Sequence, residues 1–213
     1  MTLYGYWRSS AAYRVRIALN LKNIEHQHKS VHLVKEGGQQ HSAAYVALNP
    51  THLVPTLVDG AFSLNQSLAI IDYLDDKYSD YPLYPNNLEH KALVKALSFD
   101  IACEIHPVNN LRVQQYIVRE LDASLEQKTA WLDYWLSTGF KALETRLETT
   151  AGDFCFGDKV SVADLCLIPQ VYNAVRFNID MSAYKNINRI VINCNQLPAF
   201  IAALPENQDD ANL

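Results

Sequence analysis

No Cys-x-x-Cys pair occurs in these 213 residues, and the four cysteines, Cys103, Cys155, Cys166 and Cys194, stand far apart. Such spacing points to reduced thiols rather than a disulfide frame. No apolar run approaches the ~18 residues that a membrane helix needs. Arg8, Arg14 and Arg16 interrupt the apolar pattern near the start, so no secretory leader is expected and the protein reads as cytoplasmic. Positive charge is not in excess either. The formal net charge of -5 argues against nucleic acid or an anionic membrane as partner. His26, His28 and His32 fall in phase along a strand, but no cysteine or paired zinc motif lies near them, so they read as a solvated strand face and no metal is expected.

What is present is ordinary globular material, 49% hydrophobic and 19% charged, in a chain long enough for two small cores. Residues 2–6 read as a strand, 10–21 as an amphipathic helix and 26–33 as a second strand, which together make a βαβ unit with a parallel pair. A short helix follows over 42–48, ended by Asn49-Pro50. Asp59-Gly60 then marks a hairpin between two β-prone runs, and Asn65-Gln66-Ser67 opens another helix. Residues 79–88 hold two prolines and two asparagines without periodicity. The expected division is therefore an α/β domain over 1–80, a linker over 81–87 and an all-α domain over 88–213. In the second half Val94, Leu97, Ile101, Ile105 and Val108 form one helical stripe, and Leu132, Leu136, Phe140, Leu143 and Leu147 another. Ser161-Val162-Ala163-Asp164 fits a capping box, and the tail from Glu206 is polar enough to be loose.

The chemistry concentrates at Ser9-Ser10-Ala11-Ala12, where the first strand ends and the first helix begins. A βαβ–α–ββα order with Pro55 opening its third strand points to a thioredoxin-like domain, whose redox members carry Cys-x-x-Cys at this turn. Here no protein thiolate is available for disulfide exchange. A serine hydroxyl can instead donate to a thiolate supplied from outside, which points to glutathione. Lowering a thiol pKa of ~8.5 by about two units takes roughly 2.7 kcal/mol. One charge-assisted hydrogen bond supplies roughly 1.5–3 kcal/mol, and a helix N-terminus roughly 0.3–1 more. Taken alone, Ser9 or Ser10 is equally a plain helix cap.

The run Trp7-Arg8-Ser9-Ser10 followed by Arg14-Val15-Arg16-Ile17-Ala18-Leu19 resembles the signature of the zeta class of glutathione transferases. Gly37-Gly38-Gln39-Gln40, Ala47-Leu48-Asn49-Pro50, Val54-Pro55-Thr56-Leu57, Gln66-Ser67-Leu68-Ala69-Ile70-Ile71, Gly157-Asp158, Ala163-Asp164-Leu165-Cys166-Leu167, Pro169-Gln170-Val171 and Arg176-Phe177 are similar to that family in the same order. The likeness covers nearly the whole chain. It implies glutathione as cofactor, a homodimer, and glutathione-dependent cis–trans isomerisation of maleylacetoacetate in tyrosine and phenylalanine breakdown. Isomerisation of maleylpyruvate, general conjugation or peroxide reduction, and a non-catalytic interaction module are the alternatives.

The resemblance further implies that Ser9, with Ser10 beside it, holds the thiolate. Val54, before a cis Pro55, would pair with the cysteinyl backbone of glutathione. Gln66 and Ser67 would take its γ-glutamyl carboxylate at a helix start, and Gln40 its glycyl end. For a dicarboxylate substrate Arg176 matches the family's binding arginine, and Arg8 is placed beside Ser9 to serve as a second clamp. His106, Asn109 and Asn110 share a face by their spacing, and either line the site or support a kink at Pro107. Arg14 and Arg16 lie about 200° apart on a helix and cannot both face a ligand, so neither receives a catalytic role. The family pattern reads Ser-Ser-Cys, whereas Ala11 stands here, so that cysteine's accessory part is not carried over.

Overall fold

The computed structural model describes residues 1–212. Strand β1 is Thr2–Gly5, and a turn leads from it into helix α1, Ser10–Leu21, whose N-cap Ser9 accepts the Ala12 N–H at 3.2 Å. β2, Gln27–Ser30, lies parallel to β1 as the βαβ reading expects, and is shorter than that reading drew it. Helix α2, Ala43–Leu48, is capped by Ser42 and stops at Asn49, ahead of Pro50, which cannot continue a helix. Strands β3, Thr56–Asp59, and β4, Phe62–Asn65, form the hairpin, with Gly60 at φ 63° in the left-handed conformation the turn requires. Helix α3, Ser67–Lys77, follows.

The sheet order is β2-β1-β3-β4, with β3 antiparallel to both its neighbours. Helices α1 and α3 pack against each other. Leu3, Val15, Leu19, Leu57, Ile70 and Ile71 are wholly or almost wholly buried. Each such side chain stabilises the unit by roughly 1.5–3 kcal/mol.

The helical unit holds α4, Leu88–Phe99, then α5, Leu111–Arg119, α6, Leu125–Thr150, α7, Val162–Arg176, and α8, Lys185–Cys194. The stripe from Leu132 to Leu147 on α6 is buried as its spacing predicts. The stripe beginning at Val94 does not continue in one α-helix. After Phe99 the chain winds as a π-helical turn, Asp100–Ile105, and then as a 3-10 turn, Pro107–Asn109. Pro107 has no N–H to donate, which ends the regular ladder there. Gly139 on α6 matters to this turn: a Cβ at Gly139 would stand 2.5 Å from Ile105 Cγ1. At the start of α7 the buried Asp164 carboxylate accepts the Cys155 N–H at 2.8 Å, the Ser161 N–H at 2.8 Å and the Ser161 hydroxyl at 3.0 Å. Burial pushes its pKa up, while these hydrogen bonds pull the other way.

Two compact units emerge, but not with the boundaries read from the sequence. One comprises Met1–Pro82 together with the chain from Asn195 onward, and the other is Leu83–Cys194. The proposed linker straddles the change of unit, and its Leu83 is fully buried with its carbonyl on the Val162 N–H. Helix α9, Pro198–Ala203, packs on α1, and the polar tail is wound into 3-10 turns rather than loose. Polarity misled here because Asp210, 2% exposed, finds internal partners for its carboxylate.

Candidate active site

The register places several predicted residues at one end of the sheet. Tyr4 opposes Thr56 and Thr56 opposes Asn65, so the turn after β1, the Val54-Pro55 step before β3 and Gln66 after β4 share an edge. Parallel pairing of β1 with β2 brings the loop from Val31 to His41 to that same end. Tyr6, Val31, Tyr45 and Val54 form a buried cluster beneath, with Trp7 and Leu33 packed on it.

Ser9 is partly exposed at the N-cap, whereas Ser10 is buried at the first helical position. Because the Ser9 Oγ accepts the Ala12 N–H with a lone pair, its own proton is directed away from the helix and can be donated. Ser9 is therefore both the cap and an available donor. Ala11 sits half-buried one residue into α1.

The Val54-Pro55 peptide bond is cis. Among the described residues neither the N–H nor the C=O of Val54 has a hydrogen-bond partner, which leaves an edge able to receive an extended peptide. Gln66 is exposed and holds φ 67°, ψ 112°, a conformation costly for a residue with a Cβ and concentrated at binding sites. Ser67 is buried at the start of α3, and its Oγ accepts from Arg14 Nη1 at 3.3 Å. Gln40 is buried, with its amide nitrogen 3.4 Å from the Leu33 carbonyl and its Oε1 without a partner. Gly38 makes room for it, since a Cβ there would lie 2.5 Å from the Gln40 amide. The Arg8 guanidinium stands 5.0 Å from the Trp7 ring centre, and among the described residues it meets no carboxylate.

The helical unit holds the other four predicted residues. Asn109 is buried: its amide donates to the Ile105 carbonyl at 2.9 Å, and its oxygen accepts from the Asn173 amide at 3.0 Å. The Asn173 oxygen in turn accepts from Arg176 Nη2 at 3.1 Å. Asn109 thus supports the bend and holds Asn173 against Arg176. Arg176, the last residue of α7, is exposed and lies 4.3 Å over the Phe177 ring. Asn110 caps α5 through the Arg112 N–H at 3.1 Å. His106, half-buried, joins the π turn to the 3-10 turn. The three do not present one common face, because the change in winding at 100–109 breaks the regular spacing.

Residues 3–82 match the model of the glutathione S-transferase N-terminal domain. A Vibrio cholerae protein named "Probable maleylacetoacetate isomerase" is 52% identical over 211 residues, 99% of this chain and 98% of its own length. This chain belongs to the zeta-class glutathione transferases. A maleylpyruvate isomerase, described as a bacterial glutathione transferase of the zeta class, superposes with a TM-score of 0.95 at 40% identity, covering 99% of both chains. A maleylacetoacetate isomerase from Methylobacterium extorquens, solved with malonate and GSH bound, gives 0.93 at 40% identity over 98% of each.

Two features of this zeta-class chain escaped the sequence reading. Asn173 carries no motif of its own and becomes visible only through its partners. Arg14 and Arg16, by contrast, left a signal: two arginines inside the apolar pattern of α1 are both buried, at 2% and 3% exposure. Buried guanidinium must be hydrogen-bonded, and both hold site-bearing segments, Arg14 through Ser67 and Arg16 through the Trp7 carbonyl.

Proposed function

We propose that the chain binds glutathione at the sheet end bearing Ser9 and catalyses the glutathione-dependent cis–trans isomerisation of maleylacetoacetate to fumarylacetoacetate, in tyrosine and phenylalanine breakdown. The observation that carries this reading is the Ser9 hydroxyl, engaged by the Ala12 N–H as acceptor and left able to donate. The neighbouring groups fit the tripeptide: a Val54 edge for its backbone, a helix start at Ser67 for a carboxylate, and the Gln40 side-chain amide for its glycyl end. Bound glutathione supplies the sulfur nucleophile that adds to the activated double bond and departs after rotation about the single bond so formed.

The protein's residues set the conditions. Ser9 donates to the sulfur and holds it ionised, with the positive end of α1 helping. Gln66 and Ser67 fix the γ-glutamyl end, Gln40 the glycyl end. Arg176 grips a substrate carboxylate through its planar fork, with Asn173 fixing its direction; Arg8, beside Ser9, carries a fork of the same kind. His106 is the remaining substrate-side candidate of its segment. We further propose a cytoplasmic homodimer, the assembly being what the family resemblance implies.

Isomerisation of maleylpyruvate is the second reading, favoured by the likeness to the zeta-class maleylpyruvate isomerase. The deciding experiment follows both substrates with catalytic amounts of glutathione, beside conjugation of a standard aromatic electrophile. Turnover of maleylacetoacetate well above maleylpyruvate is expected. Rapid conjugation without isomerisation of either would reject the proposal.

A further inference from the structure

The turn that carries Ser9 is gripped by residues remote in sequence. The Trp7 N–H donates to Asp210 Oδ2 at 3.1 Å, and the same oxygen accepts the Ser30 hydroxyl at 2.7 Å. The Trp7 carbonyl accepts from Arg16 Nη2 at 2.9 Å, and Arg16 also binds the Ala203 carbonyl through Nε at 3.1 Å and Nη2 at 3.0 Å. The Tyr6 carbonyl receives the Ser9 N–H at 2.9 Å, with Arg16 Nη1 at 3.5 Å. Both peptide groups flanking Trp7 are therefore fixed, one by Asp210 and Arg16 and the other by Arg16.

A helix start does not need this. The Ser9 side chain already caps α1 through the Ala12 N–H, as at any capped helix, without help from the tail. A carboxylate 2% exposed is costly unless its hydrogen bonds compensate, and Asp210 directs one of them to a backbone N–H two residues before Ser9. Its other oxygen faces His28 Nδ1 at 3.8 Å. A charged acceptor makes a shorter and stronger bond than a neutral one, and its direction is correspondingly better defined.

We propose that Asp210, acting with Arg16, is a positioning residue: the C-terminal segment fixes the turn Tyr6–Ser9 so that the Ser9 hydroxyl stays aimed at the glutathione sulfur. This rests on the reading of Ser9 as the thiolate donor. Asp210 touches neither cofactor nor substrate in this scheme; it acts through Trp7.

The test is ultraviolet titration of the glutathione thiolate in its complex with the full chain, together with amide exchange at Trp7 in the free protein. Asp210→Ala should raise the thiol pKa in the complex by about one unit and speed Trp7 exchange by about tenfold, equivalent changes on a logarithmic scale. Asp210→Asn keeps a neutral, weaker acceptor for the Trp7 N–H and should fall between the parent and Asp210→Ala in both. A lowered melting temperature with an unmoved thiol pKa in Asp210→Ala would make the contact merely structural and overturn the proposal. Should Asp210→Ala not fold, Ser30→Ala carries the test: a smaller shift in the same direction supports it, and none overturns it. Ser9→Ala is titrated alongside. If Ser9→Ala leaves the thiol pKa unmoved, the donor reading itself falls; if only the Asp210 and Ser30 variants leave it unmoved, the positioning role falls and the donor stands.

Discussion

Replacing Ser9 by alanine removes two things at once, a helix cap and a donor, and their consequences can be separated. Loss of the Ala12 N–H to Oγ contact costs about 1 kcal/mol of stability, the usual value of a serine cap. Loss of the donor acts on the thiol. A charge-assisted bond of about 2 kcal/mol corresponds to roughly 1.5 units, so the thiol returns from about 7 to its free value of ~8.5. Near neutral pH that takes the ionised fraction from about one half to about 3%, a loss of roughly 15-fold. Sulfur no longer held by its donor is also misdirected, and removal of one donor from such a site costs roughly 10²-fold or more in total. The assay is kcat/KM for isomerisation as a function of pH, with the melting temperature measured in parallel. The deficit of Ser9→Ala should be near 10²-fold around neutrality and shrink above about pH 9, where the thiol ionises unaided. Ser9→Asp, which caps well but repels a thiolate, should be as stable as the parent and as inactive as the alanine variant. A deficit independent of pH, or full activity in Ser9→Asp, would refute the argument and shift attention to Ser10.

Other expectations follow from the same geometry. Arg176→Gln should raise KM for the dicarboxylate about tenfold or more while leaving glutathione affinity unchanged, since a bidentate charged contact is worth over 1 kcal/mol; equal weakening of both ligands would argue for a structural arginine. Asp164→Ala strands the N–H groups of Cys155 and Ser161 and should cost about 3 kcal/mol in urea unfolding, against less than about 1 if the box were incidental. An aromatic disulfide reagent should titrate Cys103 alone in the native protein, because Cys155, Cys166 and Cys194 are buried and burial pushes the Cys155 and Cys194 thiols well up. Burial, aided by the nearby Arg16 charge, lowers the His28 pKa despite Asp210, so the unfolded chain takes up that proton first. Its contribution to stability is therefore complete above about pH 6.5 and declines as the pH falls below that value; His28→Gln should flatten the acid limb of a melting-temperature profile, and an unchanged limb would place the titration elsewhere.

Local rules of the chain were legible where a few adjacent residues decide the outcome. Asp59-Gly60 specifies a hairpin whatever surrounds it, and Ser161 with Asp164 specifies the start of α7. The turn at Ser9 could be found because a strand, a break and an amphipathic helix follow one another directly. Elements settled by distant partners were not legible. The π turn at 100–105 changes the winding under a continuous apolar stripe, and its accommodation rests on Gly139, over thirty residues away. Helix α5, begun by its Asn110 cap just beyond the break at Pro107, buries only Ile117. The spacing of Asn109 with His106 and Asn110 leaves open whether it lines the site or supports the kink; only its burial, with its amide on the Ile105 carbonyl and its oxygen on Asn173, decides for support. The tail shows the same limit: Asp209-Asp210 reads as solvated sequence until Trp7 and Ser30 are brought beside it.

The contact between Trp7 and Asp210 spans 203 positions, which gives the N-terminal unit a particular history during synthesis. Its sheet, with α1 and α3, can assemble as soon as the first eighty or so residues have left the ribosome. The helical unit must then be made in full before α9 and Asp210 emerge to complete the first unit. Chaperone dependence, the proteolytic fate of unfinished chains and the tolerance of C-terminal fusions should accordingly be governed by this late closure. A chain that stops between α9 and Asp210 would retain nearly all its apolar core and yet lose the grip on the turn beside Ser9, becoming folded but poorly active.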